Sequence, residues 1–353
     1  MQNDRGMALL LTITVITLFV AGALELNKRV RVAVMSTATS RDRVTLLHMA
    51  SSGVHAAMAM LVKDRIDSDT DSLHEDWADQ DILNDLVMDI PFEDGDVKIA
   101  ITDELGKIQV NALVDFPEGT NFKEPQRKMW DRFLFLFFSQ YDPDMRSDPD
   151  EIINSLKDWL DSKDDDVITG LSGAESDYYQ DLDPPYLCRN GPISYLGELV
   201  LVRGVTPEIF NDLGQASGLS RYMTVYGMTD AGGNSFTYKG KININTADPP
   251  VIAGMLPAGN EDLALAISEY RRETSDSVYI HDLSSPTWYK NAPGCSDIEI
   301  DPKIITTASN FFQIESIANL HEIKMILRVV VHREKESKTG KWRCMVLSWQ
   351  EGQ

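Results

Sequence analysis

Residues Met7 to Leu24 read MALLLTITVITLFVAGAL, a run without a single charge. At about 1.5 Å per residue a helix of this length spans roughly 27 Å, close to a bilayer core, so the run is a membrane segment. The helical pattern continues beyond it. Past Glu25, Lys28, Arg29 and Arg31, apolar residues recur at Val30, Val34, Leu46, Leu47, Ala50, Val54, Ala57, Met58 and Leu61. This spacing predicts one helix from Met7 to about Arg65, amphipathic only in its outer half, as suits a stem packed on a globular head. A short charged leader, Met1-Gln-Asn-Asp-Arg-Gly6, precedes the run. Read alone, the segment is either an uncleaved anchor or a signal peptide cut near Ala21-Gly22-Ala23. Arg5 and the amino terminus oppose the basic residues that follow the span, so charge does not orient it.

Outward from the stem, Ile82 to Met88 reads as a short helix. Val97–Asp103 and Lys107–Asn111 alternate apolar and polar residues around Glu104-Leu105-Gly106, which predicts a half-buried hairpin. The period then becomes helical. Met129, Trp130, Phe133, Leu134, Phe137 and Phe138 share one helix face, and Ile152, Ile153, Leu156, Trp159 and Leu160 share another. These aromatics read as core. Helices at Ile193–Val202 and Pro207–Leu213 are joined at Arg203-Gly204-Val205-Thr206, where Gly204 supplies a sharp turn and Thr206 a cap. An internal echo links Gly106-Lys-Ile-Gln-Val-Asn-Ala112 to Gly240-Lys-Ile-Asn-Ile-Asn-Thr-Ala247, each a short strand feeding helices, the second followed by Pro250–Leu256 and Glu261–Arg272. Strand patterns return at Phe311–Ile317, Ile323–His332 and Trp342–Trp349, with Glu336–Lys341 as a polar turn. Strands on both sides of a helical block predict one sheet carrying a large insertion.

The chain has 55 acidic and 33 basic residues, a net charge of −22. That balance repels nucleic acid phosphates and anionic headgroups and favours cations. Half of it is local: fourteen acids face three basic residues between Asp142 and Asp183. Asp158-Trp-Leu-Asp161-Ser-Lys-Asp164-Asp165-Asp166, followed by Gly173-Ala-Glu175-Ser-Asp177, crowds hard oxygen donors into a loop after a helix. Two readings fit, a solvated acidic loop and a calcium site, and the spacing is not that of an EF-hand. The three cysteines, Cys188, Cys295 and Cys344, are too far apart for a CxxC motif; they allow one disulfide within the chain, of undetermined pairing.

With these segments in order, the chain resembles the minor pseudopilin K family of bacterial type II secretion. The resemblance rests on the glycine-ended leader, GKIQVNAL, DWLDSKDDD, GAESDYY, ELVLVRGVTPEIF and GKININTADP, over more than 200 residues. It implies cleavage by prepilin peptidase between Gly6 and Met7, leaving the apolar helix on the mature chain. It also implies an α+β, type IV pilin-like fold, a long N-terminal helix on a small antiparallel sheet, with a large inserted helical domain (SAM-like, helix-hairpin-helix-like). The expected division is a leader 1–6, a transmembrane part 7–26, helix and first strands 27–115, an insertion 116–304 of two related units (about 116–220 and 240–304), and closing strands 305–353. Pilins carry a glutamate at the fifth mature position to neutralise a neighbour's buried amine; here that position is Leu11. A buried carboxylate without a cation costs several kcal/mol, so Leu11 suits a subunit with no neighbour above it.

What the resemblance implies for function is a non-catalytic subunit at the pseudopilus tip, partnered by minor pseudopilins I and J and other pseudopilins, held in the inner membrane with its head in the periplasm. It favours the calcium reading, with Asp161, Asp164, Asp165, Glu175 and Asp177 as expected ligands and Asp166, Asp181 and Asp183 in reserve. The alternative is a membrane-anchored helix-hairpin-helix DNA-binding protein of competence type, read from Leu201–Thr206 and Asn245–Pro249. A single glycine in the hairpin and the acidic surroundings oppose it, and no nucleic acid partner is expected. Walker A, HExxH and GxSxG sequences are all missing, so the chain reads as no enzyme.

Overall fold

The computed structural model describes residues 4–88, 92, 94–139, 147–163, 167–212, 217–233, 235–276 and 278–352. Helix α1 (Asp4–Asp67) is the stem. It is exposed through the apolar run and becomes half-buried only near Arg43, where Leu46, Ala50, Val54, Ala57 and Leu61 turn one face inward at zero exposure. That face lies on a four-stranded antiparallel sheet whose strands run in the order Asp96–Asp103, Phe311–Leu320, Ile323–Lys335, Trp342–Gly352. In β1 (Asp96–Asp103) strict alternation buries Val97, Ile99 and Ile101 against the stem. The close approach depends on Gly53, where a Cβ would stand 2.5 Å from Ser316 Oγ and 2.9 Å from Val97. α2 (Gln80–Met88) covers one side with Leu83 and Val87.

The expected hairpin does not form. Asp103 accepts a hydrogen bond from Leu105 N and turns Glu104–Gly106 into one 3₁₀ turn. The chain thereby leaves the sheet, and β2 (Ile108–Gln109) pairs in parallel with β3 (Met223–Thr224) instead. β1 finds its partner in β10 (Phe311–Leu320), with Ile101 opposite Ile314. Alternation marks a strand but not its neighbour.

Between β2 and β3 lies the first helical unit: α3 (Glu124–Ser139), α4 (Pro149–Leu160), α5 (Ser176–Gln180) and α6 (Pro207–Phe210). The stretch expected as a helix at Ile193–Val202 is a shorter 3₁₀ segment, Leu196–Leu201. A hairpin of β4 (Met228–Gly232) and β5 (Ser235–Tyr238) leads to the second unit, which opens with β6 (Ile242–Asn243). There α7 (Pro249–Met255), α8 (Leu263–Tyr270) and the small ribbon of β7 (Thr274–Ser275) and β8 (Val278–Tyr279) follow. β9 (Ile305–Thr306) closes it, parallel to β6. Then β10, β11 (Ile323–Lys335) and β12 (Trp342–Gly352) complete the sheet.

The two units are built alike around one buried asparagine each. Asn111 Nδ2 donates to the carbonyls of Ile193 and Val225 (2.9 and 3.1 Å), and its Oδ1 accepts from Ile193 N (2.8 Å). Asn245 Nδ2 donates to Leu283 and Thr307 carbonyls (3.2 and 3.3 Å), while its Oδ1 accepts from Trp288 Nε1 (2.7 Å). Both are fully buried. Val225 and Thr307 each directly follow the returning parallel strand, so the same side chain clips entry to exit in both units. One continuous apolar core, including Trp130, Phe133, Phe137, Trp159, Ile252 and Trp288, runs through them, separate from the core under the stem.

Candidate metal site and the membrane stem

Helix α4 starts where Asp148 accepts from Asp150 N, with Pro149 at its first position. It ends in a turn whose carboxylates face inward. Asp158 is fully buried, Asp161 at the C-cap is 3% exposed and Glu175, before α5, is 4% exposed. Each offers an oxygen within 4.8 Å of the others. Asp158 accepts from Thr169 N at 2.9 and 3.1 Å, and Asp161 accepts from Lys163 N at 2.9 Å. Gly173 lies so near that a Cβ there would fall 2.1 Å from Asp158 Oδ2. Lys157 Nζ lies 2.7 Å from Asp161 and 3.8 Å from Asp158. That ammonium lies against two of the three carboxylates, and burial pushes the Asp158 carboxyl above its ordinary range. Carboxylate oxygens brought this close together are the kind of donor set calcium takes.

Of the expected ligands, Asp161 and Glu175 come together here. Asp177, in the first turn of α5, is exposed and lies outside the group, as do the exposed Asp181 and Asp183. Asp164, Asp165 and Asp166 lie outside the described residues. Asp158 was missed as a ligand: it lies opposite the apolar face of Ile152, Leu156 and Trp159, the side that an amphipathic pattern assigns to solvent, yet the fold buries that side as well. The i, i+3 pairing of Asp158 with Asp161 at a helix end was the available signal.

Among the described residues one other carboxylate group is as tight, Asp64, Asp71 and Glu75, and its first two members pair with the Arg333 guanidinium. A polar cleft of about 1260 Å³ separates the outer face of the sheet from the first unit. Within it Lys107 pairs with Glu104 (2.5 Å), Arg328 with Glu315 (2.7 Å) and Arg221 with Asp248 (3.4 Å). At the Leu201–Thr206 turn Gly204 has φ +86°, and Arg203 is paired with Glu151 at 2.8 Å.

The disulfide that the sequence allowed is not formed: Cys188, Cys295 and Cys344 are all free. They sit in the first unit, the second unit and the sheet, so no two meet. Burial pushes the Cys188 thiol up to about 12 and the Cys344 thiol up to about 11, which keeps both protonated at neutral pH.

Gly6 and Met7 lie in the first turns of α1, and the stretch after them is apolar and long enough to cross a membrane. The pattern of the family described as "Type II secretion system (T2SS), protein K" matches residues 106–225, from the turn before β2 to the residue after β3. Residues 106–225 belong to the type II secretion protein K family. The type II secretion system protein K of Klebsiella pneumoniae is 26% identical over 216 residues, and that of Aeromonas hydrophila 24% over 211. These matches cover 60% and 59% of this chain and 61% of either relative. The chain therefore spans about three fifths of the protein K relatives it matches. The fold also matches a chain in the crystal structure of the GspK-GspI-GspJ complex from enterotoxigenic Escherichia coli. There the TM-score is 0.64 at 17% identity, over 90% of this chain and 99% of that one. The architecture is thus a type IV pilin-like fold with an inserted helical domain.

Proposed function

We propose that this chain is a minor pseudopilin of type II secretion, a non-catalytic subunit that sits at the pseudopilus tip with minor pseudopilins I and J. The observation that carries the reading is the pairing of a pilin-like stem and sheet with a bulky two-unit insertion between β1 and β10. Pilin-like stems stack side by side in a shaft, where so wide a head would meet the subunit above. At the end of the shaft that space is free. Leu11 supports the same place, because a subunit without an upper neighbour has no amine to neutralise. In this reading prepilin peptidase removes Met1–Gly6, and the apolar helix stays in the inner membrane with the head in the periplasm. Mass spectrometry of the mature protein is expected to find Met7 at the N-terminus; an N-terminus at Leu24 would overturn the assignment. Copurification with pseudopilins I and J, each expressed with its own stem, tests the partnership.

The same reading gives Asp158, Asp161 and Glu175 a structural calcium ion, which ties the end of α4 to the start of α5. Binding to the folded state alone stabilises by about 2.7 kcal/mol when calcium is a hundredfold above its dissociation constant. The detergent-solubilised chain is therefore expected to melt higher in calcium than in chelator. Asp158→Asn should abolish the difference. Identical melting curves with and without chelator would remove calcium from the account.

A further inference from the structure

The second helical unit is joined to the pilin-like body through a buried cluster of charge. Arg333 of β11 has no exposure. Its Nη1 donates to Leu61 O (3.0 Å) and Asp64 Oδ2 (2.8 Å) of the stem, and its Nη2 donates to the Asp71 carboxylate and Ser309 O (2.8 Å). Asp71 accepts from Ser309 N at 2.8 Å through Oδ2, and its carbonyl accepts from Asn243 Nδ2 at 2.9 Å. The same Asn243 amide donates to Asp103 Oδ2 at 2.8 Å, beside a bond from Thr246 Oγ1 at 2.7 Å. Glu75 closes the group on the other side, accepting from Ser72 N (3.0 Å) and Trp77 Nε1 (2.8 Å). Strand β6 is thus fastened by one carboxylate of the body, Asp103, and by the backbone carbonyl of Asp71.

Fully ionised, the joint would hold Asp64, Asp71, Glu75 and Asp103 against the single guanidinium of Arg333. Other charges bordering it change this little. Arg65 reaches outward to the exposed Asp69, Asp76 adds negative charge near Asp64, and the half-buried His74 is held below its ordinary range by burial. Arg271 of the second unit spends its guanidinium on the carbonyls of Ile244 and Ala247. A surplus of buried negative charge is costly, and proton uptake relieves it.

We propose that this joint is a proton-linked latch, in which protons taken up by Glu75 and Asp103 tighten the second unit on the body and their release loosens it. The titration supports the geometry. Burial, with the Asp64 and Asp71 charges adding to it, pushes Glu75 up to about 7, and burial pushes Asp103 up to about 6. Asp64 and Asp71 also lie above their ordinary range, because burial outweighs Arg333. A carboxyl raised in the folded state binds more protons folded than unfolded. The stability it supports is complete below its unfolded value and is lost as pH rises through the folded one. The working window therefore runs from about pH 4 to about pH 7.

Hydrogen exchange on the detergent-solubilised full chain tests this, with chelator throughout so that calcium at Asp158 has no part in the result. Protection of the amides in 71–77 and 242–247, corrected for intrinsic exchange, should fall about tenfold or more between pH 5.5 and pH 8. Amides of α3 should change less. Glu75→Gln, which keeps a neutral acceptor for Ser72 and Trp77, should flatten most of the slope, and Asp103→Asn the remainder. Equal protection at the two pH values in the unmodified chain would overturn the proposal. So would an unchanged slope in both variants.

Discussion

Arg333→Ala is expected to destabilise the head by about 3–5 kcal/mol, the largest effect of any single substitution in the pilin-like body. The guanidinium does more than pair with Asp64 and Asp71. It also caps the carbonyls of Leu61 and Ser309, and it stacks against the Phe312 ring at 4.8 Å. Truncation leaves two buried carboxylates facing each other without a cation, together with carbonyls that have lost their donor. Chemical unfolding of the solubilised chain at pH 8, where the carboxylates are most ionised, should show the full loss; at pH 5 protonation of the same groups should reduce it. A loss below about 1 kcal/mol at pH 8 would mean that water reaches the joint.

The second large effect is expected at the two clipping asparagines. Asn111→Ala removes three buried hydrogen bonds and strands Ile193 N and the carbonyls of Ile193 and Val225. At about 1–3 kcal/mol for a buried group left without its partner, a total near 3 kcal/mol is expected. Asn245→Ala should cost a similar amount, because it releases Trp288 Nε1 and the carbonyls of Leu283 and Thr307. The two losses should be distinguishable by place. Limited proteolysis is expected to open 108–225 in the first variant and 242–307 in the second. If either variant opened both units together, the common core would be one cooperative block.

Much of this architecture is legible in the sequence, because its signals are local. A charge-free run announces the stem, and the spacing of Leu46, Ala50, Val54, Ala57 and Leu61 identifies the face that the sheet covers. The echo of GKIQVN in GKININ marks both unit entries, and the structure shows its reason in the matched roles of Asn111 and Asn245. What escaped depends on distant partners. Lys107–Asn111 alternates like the second arm of a hairpin, yet its partner is Met223–Thr224, across the entire first unit. Arg333 stands in His-Arg-Glu-Lys, a stretch that reads as a solvated strand end, and only the fold brings Asp64 and Asp71 around it. At the candidate metal site Asp161 and Glu175 were readable as oxygen donors in a crowded acidic loop. Asp158 was not, because it lies opposite the apolar face of Ile152, Leu156 and Trp159, on a side that only the fold covers.

The separation of β1 from β10 sets the order in which this head can be completed. Asp96–Asp103 is synthesised early, but the strand that covers its edge, Phe311–Leu320, comes only after both helical units. Until those last strands arrive, the inner face of the stem and an open strand edge stay uncovered, a condition that favours misassociation. Each unit can meanwhile close on itself through its own parallel pair. A ribosome that stalls or a protease that trims near the carboxyl end would therefore leave two finished helical units on an unfinished base.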